Sequence, residues 1–259
     1  MSRNIGRVAA IAVFLIAQAT FAFAAELKVI STPALSEVWT ELKPKFEATG
    51  HKITLVSLAS GAITKKVMEG ETADVLFSTT GGIETLAKDG KVVAGTGTAI
   101  ANSGMGVAVL KGAPKPDIST PKKFKQALLN AKAVAYTDPA GGGASGAYMV
   151  KLLEKLGITK EINAKAKLAH GVPSATLVVK GEADIAIQQL PELLAVPGVE
   201  IVGPLPGDLQ NVTPFAAGVH VSSQNADAAK ALIKFFQTPE AIAIIRSKGL
   251  EPPAAAKAS

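Results

Sequence analysis

Thr137 to Ile158 reads "TDPAGGGASGAYMVKLLEKLGI". The run Val134–Thr137 at its head has the composition of a strand, and Ser145–Leu156 has helical apolar spacing. Between them stand a turn pair, Asp138-Pro139, three glycines, and Ala144-Ser145-Gly146. Glycine costs about 0.5–1 kcal/mol in ordered backbone. A helix start stripped of side chains at that cost implies that something approaches its backbone closely. A strand leading through such a turn into a helix is also the building unit of a parallel α/β sheet.

The same alternation extends in both directions. Strands are expected at Glu26–Ser31, Lys52–Leu58, Asp74–Ser78, Gly104–Leu110, Ile185–Gln188, Glu200–Val202 and Thr213–Ser222. Helices are expected at Leu35–Thr49, with apolar residues at 35, 38, 39, 42 and 46, and at Ala62–Glu69 and Gly82–Lys88. Further helices are expected at Lys122–Asn130, Ser174–Val179, Ala226–Gln237 and Pro239–Ser247. The predicted fold class is α/β, with mainly parallel sheets covered by helices on both faces.

The first residues read differently. Arg3 and Arg7 precede the apolar run Val8–Ala19 and the small-residue site Ala22-Phe23-Ala24. That is the layout of a secretory signal peptide over residues 1–24, and it predicts a periplasmic protein. Removing 24 of 259 residues leaves 235, enough for two lobes. It also lowers the net charge from +6 to +4, since the segment holds two arginines and no acid. The remaining lysines are scattered and form no aromatic-lined basic stripe, so nucleic acid is not an expected partner. The chain has no cysteine, which excludes disulfides, thiolate metal sites and a cysteine nucleophile. The Ala-rich tail after Pro253 is expected to be disordered.

In open parallel sheets, ligands sit beyond the carboxyl ends of the strands. Three small-polar junctions fall there: Ser31-Thr32-Pro33-Ala34, Ser57-Leu58-Ala59-Ser60-Gly61, and Asp138 to Gly146. A fourth helix start, Gly171-Val172-Pro173-Ser174, has no clear strand before it. A helix start leaves about four N–H groups unpaired and carries roughly half a positive charge. Several such mouths around one space would bind an anion without any cationic side chain. Arg246 is the only arginine beyond the signal segment, and it reads as a solvated helix end, so no bidentate arginine fork is expected. Only Lys65 or Lys66 could add a cation.

Other residues carry weaker signals. His51, His170 and His220 have no metal-ligand spacing, and His170 alone stands beside a mouth. The chain has no G-x-S-x-G elbow and no Gly-Lys-Ser/Thr phosphate loop. Tyr148 reads equally as core or pocket wall. Gln188-Gln189 ends a strand, where buried amides need partners. No metal or cofactor is expected.

"LSEVWTELKPKFEATG", "SLASGAITKKVMEGETADVLFS", "DPAGGGASGAYMVKLLEKLGI" and "VVKGEADIAI" together resemble the periplasmic molybdate-binding proteins of ABC importers, which have the type II solute-binding fold. The resemblance covers nearly the whole chain after the signal segment. It implies two lobes, 25–104 plus 205–259 and 105–204, joined by two crossover strands, with an oxyanion in the cleft between them. It implies a monomer that hands its ligand to a membrane permease. Position by position, Ser60 matches the family's serine of the second mouth, and Ala144-Ser145 matches a backbone donor with one inserted residue. Val172 or Pro173 falls near a later donor, although a proline has no N–H to give. The family's first serine falls at Ala34, leaving Ser31 or Thr32 as the substitute, and its ligand-touching tyrosine falls at Gln189. The sequence also resembles a branch that includes aconitate isomerase, where the fold acts on a small tricarboxylate.

The expected ligand contacts are therefore Ser31, Thr32, Ser60, Gly61, Ala144, Ser145, Val172, Ser174 and Gln189. The expected role is capture of a small anion, molybdate or tungstate or a small carboxylate. The alternative is an isomerase in the same cleft.

Overall fold

The computed structural model describes residues 24–253. The expected signal peptide and the tail after Pro253 fall, but for Ala24, outside the described residues. The first half-chain alternates strand and helix: β1 (Glu26–Ser31), α1 (Ser36–Glu47), β2 (Lys52–Ser57), α2 (Ser60–Met68), β3 (Val75–Thr79) and α3 (Thr80–Lys88). A long strand, β4 (Thr98–Leu110), follows. Then come α4 (Pro121–Asn130), β5 (Val134–Thr137), α5 (Ala144–Leu156), α6 (Thr159–Asn163), β6 (Ala166–Ala169), α7 (Ala175–Val179), β7 (Ile185–Gln189) and α8 (Leu190–Leu194). The chain closes with β8 (Val199–Pro204), β9 (Val212–Val219), α9 (Ala226–Phe235) and α10 (Pro239–Ser247).

β4 organises the molecule. Its first half, Thr98 to Gly104, pairs antiparallel with β9. Its second half pairs with β7 from Met105 and with β8 from Gly106. The strand order β2-β1-β3-β9-β4-β7-β5-β6, with β8 on β4, thus divides at the middle of one strand. β1 lies parallel between β2 and β3, and β5 lies parallel between β6 and β7. The expected α/β class is observed, and the parallel pairing expected throughout the sheets is found among the outer strands. The antiparallel pairs all involve the crossing strands β4 and β9.

The cores follow the same division. In one half, α1 lays Val38, Trp39, Leu42 and Phe46 against the sheet, all buried. Trp39 meets Phe77 edge-on, with ring centroids 5.0 Å apart, and Phe236 at 4.8 Å. Such pairs add about 0.5–1.5 kcal/mol beyond the area they bury. In the other half, Phe124, Leu128, Met149, Leu152 and Leu153 pack on β5 and β7. Tyr148 belongs to this side: it packs on that core and donates to the Leu209 carbonyl at 2.8 Å, so it is no cleft wall. The long α1 and α5 have the periodicity that predicts them. α6, β6 and α8, each five residues or shorter, had no visible period, and β6 supplies the strand expected to be missing before the fourth mouth.

Candidate functional site

Parallel strands β1, β2, β5 and β7 all deliver their carboxyl ends to one space between the two halves. The cavity there measures about 720 Å³. One side is built from residues of the Thr32–Glu37 segment, from Ser57 to Ser60 with Ala62, and from Phe215; the other from residues of the Thr137–Ser145 loop, the Ala169–Pro173 turn and the Gln188–Ala195 segment.

Two helix mouths face each other across it. On one side α2 starts at Ser60 with no side-chain cap. Ser60 is 6% exposed, and its hydroxyl donates to Thr32 Oγ1 at 3.3 Å. On the other side α5 starts at Ala144, also without a side-chain cap. Ser145 is 3% exposed, and its Oγ lies 3.0 Å from Thr137 Oγ1. The N–H groups of Ser60, Ala62, Ala144 and Ser145 all belong to cavity-lining residues and find no acceptor among the described residues. Unpaired donors at both helix starts make the space electropositive without a formal charge.

The cavity lining, among the described residues, contains no lysine or arginine. Its titratable groups are Glu37, Asp138, His170 and Glu192. Lys65 turns to Glu69 at 3.9 Å. His170 sits at the rim, largely exposed, with Nδ1 3.1 Å from Asp138 Oδ2. Glu192, on α8, accepts from Gln188 Nε2 at 2.7 Å. Burial pushes its carboxyl up to about 7, against the lowering effect of that hydrogen bond. Gln188 is itself pinned, because its Oε1 accepts the Ser174 N–H at 2.6 Å. Gln189, 2% exposed, donates through Nε2 to Thr213 Oγ1 at 2.9 Å, while its Oε1 is buried with no partner.

Of the nine expected contacts, Thr32, Ser60, Ala144, Ser145, Val172 and Gln189 line the cavity. Three do not. The Ser31 hydroxyl is taken by the Trp39 indole, which donates to it at 2.8 Å in the core. The Gly61 N–H is spent across the cleft on the Gly142 carbonyl at 3.0 Å. Ser174 is fully buried; its N–H goes to Gln188 and its hydroxyl faces the Ile187 carbonyl at 3.5 Å. Sequence reading did not reach Glu192 or Thr137 as cleft residues. Glu192 had a usable signal, since Leu190-Pro191-Glu192 after a strand is an ordinary helix start, with Pro and an acid in the first turn.

The family model of bacterial extracellular solute-binding proteins matches residues 27–251. The aconitate isomerase of Pseudomonas sp is 34% identical over 233 residues, spanning 87% of each chain. The periplasmic molybdate-binding protein of Azotobacter vinelandii superposes with a TM-score of 0.72 at 21% identity, over 88% of this chain and all of that one. The sulfate-binding protein of Mycobacterium tuberculosis gives 0.72 at 21%, over 89% and 88%. These two solved structures share the fold, that of type II periplasmic binding proteins.

Proposed function

Because this chain belongs to the bacterial extracellular solute-binding protein family, we propose that it captures a small anion in the periplasm and delivers it to the permease of an ABC importer. The observation that carries the reading is the pair of facing helix mouths. Unpaired N–H groups of α2 and α5, with the Ser60 and Ser145 hydroxyls, converge on one cavity whose lining, among the described residues, has no lysine or arginine. Ser60, Ser145, Thr32, Ala144, Val172 and Gln189 are the proposed contacts. The two lobes, 25–104 with 205–259 and 105–204, close over the ligand about the crossing segments.

Within the anion class, a small carboxylate fits better than molybdate. The cavity volume of about 720 Å³ lies within the range of about 300–1,000 Å³ that small organic ligands occupy.

A thermal-shift panel of oxyanions and di- and tricarboxylates tests this. A true ligand at about 100 Kd stabilises the native state by about 2.7 kcal/mol, a rise of roughly 5–10 °C for a chain this long. No rise with any anion would overturn the reading; a rise with molybdate and none with carboxylates would reverse the preference within it.

The second reading, an aconitate isomerase-like enzyme, has one specific support: the 34% identical relative carries that name, and the cleft holds acid–base groups in Glu192 and the His170–Asp138 pair. Such a reaction needs a group that gives and takes a proton near neutrality. Incubation with cis-aconitate, followed by absorbance and chromatography of the trans isomer, decides it.

A further inference from the structure

An anion entering this cleft meets carboxylates and no lysine or arginine, among the described residues. Glu37 and Asp138 line the cleft. Asp138 is tied to His170 and to the Ala140 N–H. Glu192 is carried by α8, which packs against β4, β7, β8 and the Pro33–Leu35 turn. β4, β7 and that turn bring no titratable side chain, and β8 brings only Glu200, which is paired with Lys115 at 2.7 Å. The Gly249 segment also packs on α8, at Leu190 and Leu194, but its neighbour Lys248 is paired with Glu41. Among the described lining residues, no lysine or arginine offsets two negative charges placed side by side in low dielectric.

The neighbouring amide decides how Glu192 escapes. Gln188 cannot turn over, because its Oε1 accepts from the Ser174 N–H, which is donor only. Its Nε2 therefore always donates to Glu192 Oε1. That oxygen is fixed as an acceptor, and a proton on this carboxyl belongs on Oε2. We propose that Glu192 takes up one proton from solvent when an anion enters the cleft, and that its Oε2–H then donates a hydrogen bond to that anion. The inference rests on the anion-binding reading. It makes Glu192 a specificity-determining residue, one that admits ligands able to accept this hydrogen bond and couples their capture to pH. Its elevated proton affinity before any ligand arrives is consistent with this role.

Calorimetry of trans-aconitate and of molybdate binding to the whole protein tests the coupling. Titrations at about pH 8, in two buffers of different ionisation enthalpy, count the protons taken up. The expected count approaches one per anion bound. Between about pH 7.5 and about pH 8.5 the wild-type affinity falls about fivefold to tenfold. In Glu192→Gln the count falls to zero and the affinity changes less than about twofold over the same window. Anion binding without proton uptake by the wild type, a count that needs no variant, overturns the proposal. So does uptake that persists unchanged in a folded E192Q. Absence of binding by both anions at about pH 6, where the acid form is already present, sinks the anion-binding reading instead and takes this inference with it.

Discussion

At the scale of single residues, the site separates hydroxyls that face the cavity from hydroxyls spent in the core. Ser60 and Ser145 line the cavity, whereas Ser31 serves the Trp39 indole. Removing a donor to a charged ligand costs about 1.5–3 kcal/mol. Ser60→Ala and Ser145→Ala should therefore each weaken anion affinity by about 10- to 100-fold, read by calorimetry, with little loss of melting temperature. Ser31→Ala should do the reverse. It leaves a buried indole N–H unpaired and lowers stability by about 1–3 kcal/mol, while affinity stays within about twofold of wild type. Glu192 gives a pH signature even without ligand. Burial pushes its folded carboxyl up to about 7 from an ordinary value of 4.5. From about pH 4.5 to about pH 7 the native chain holds this proton more tightly than the unfolded chain, so this group's contribution to stability falls as pH rises through that window. Glu192→Gln removes the penalty. Denaturant unfolding should show the variant gaining on wild type by on the order of 2–3 kcal/mol between about pH 4 and about pH 8.

At the scale of elements, two glycines explain the stripped helix mouths, each by close backbone approach. A Cβ on Gly146 would stand 2.7 Å from the Thr137 carbonyl oxygen and 3.1 Å from that of Asp138. α5 packs its start directly onto the end of β5, and Gly146→Ala should cost about 1–3 kcal/mol by overpacking. Gly61 meets Gly142 across the cleft, N–H to carbonyl at 3.0 Å, and a Cβ there would stand 2.9 Å from that oxygen. Gly61→Ala should leave the unliganded melting temperature near wild type but prop the lips apart. Stopped-flow dissociation of a bound anion should then be faster by about tenfold, since interface changes act mainly on release. The sequence shows the glycine cost at these mouths but not its recipients, because Thr137 is local to Gly146 whereas Gly142 lies 81 positions beyond Gly61. Element by element, legibility followed period and length. β1, β5 and α10 are read from sequence to the residue. The first half of β4, Thr98 to Ser103, reads Thr-Ala-Ile-Ala-Asn-Ser, with one large apolar residue and no β-branched run, so only its Gly104–Leu110 half was visible. Among the site residues, helix mouths were legible as chemistry, but the diversion of Ser31 to Trp39 and of Ser174 to Gln188 is tertiary and leaves no local trace.

At the scale of the whole molecule, one strand belonging to two half-sheets brings the carboxyl ends of β1, β2, β5 and β7 to a common cleft. The dipoles of α2, from one half, and α5, from the other, then add in the same space. Anion capture on this account is a property of the two halves together and should be weakly dependent on salt compared with a site built on exposed lysines, because buried donors are screened less. Amide-resolved NMR during an anion titration tests this most directly. With trans-aconitate as the probe, the N–H signals of Ser60 and Ala62 from one half and of Ala144 and Ser145 from the other should move downfield together and saturate at one equivalent. Shifts confined to one half, or scattered over surface lysines and absent from these four amides, would contradict the account.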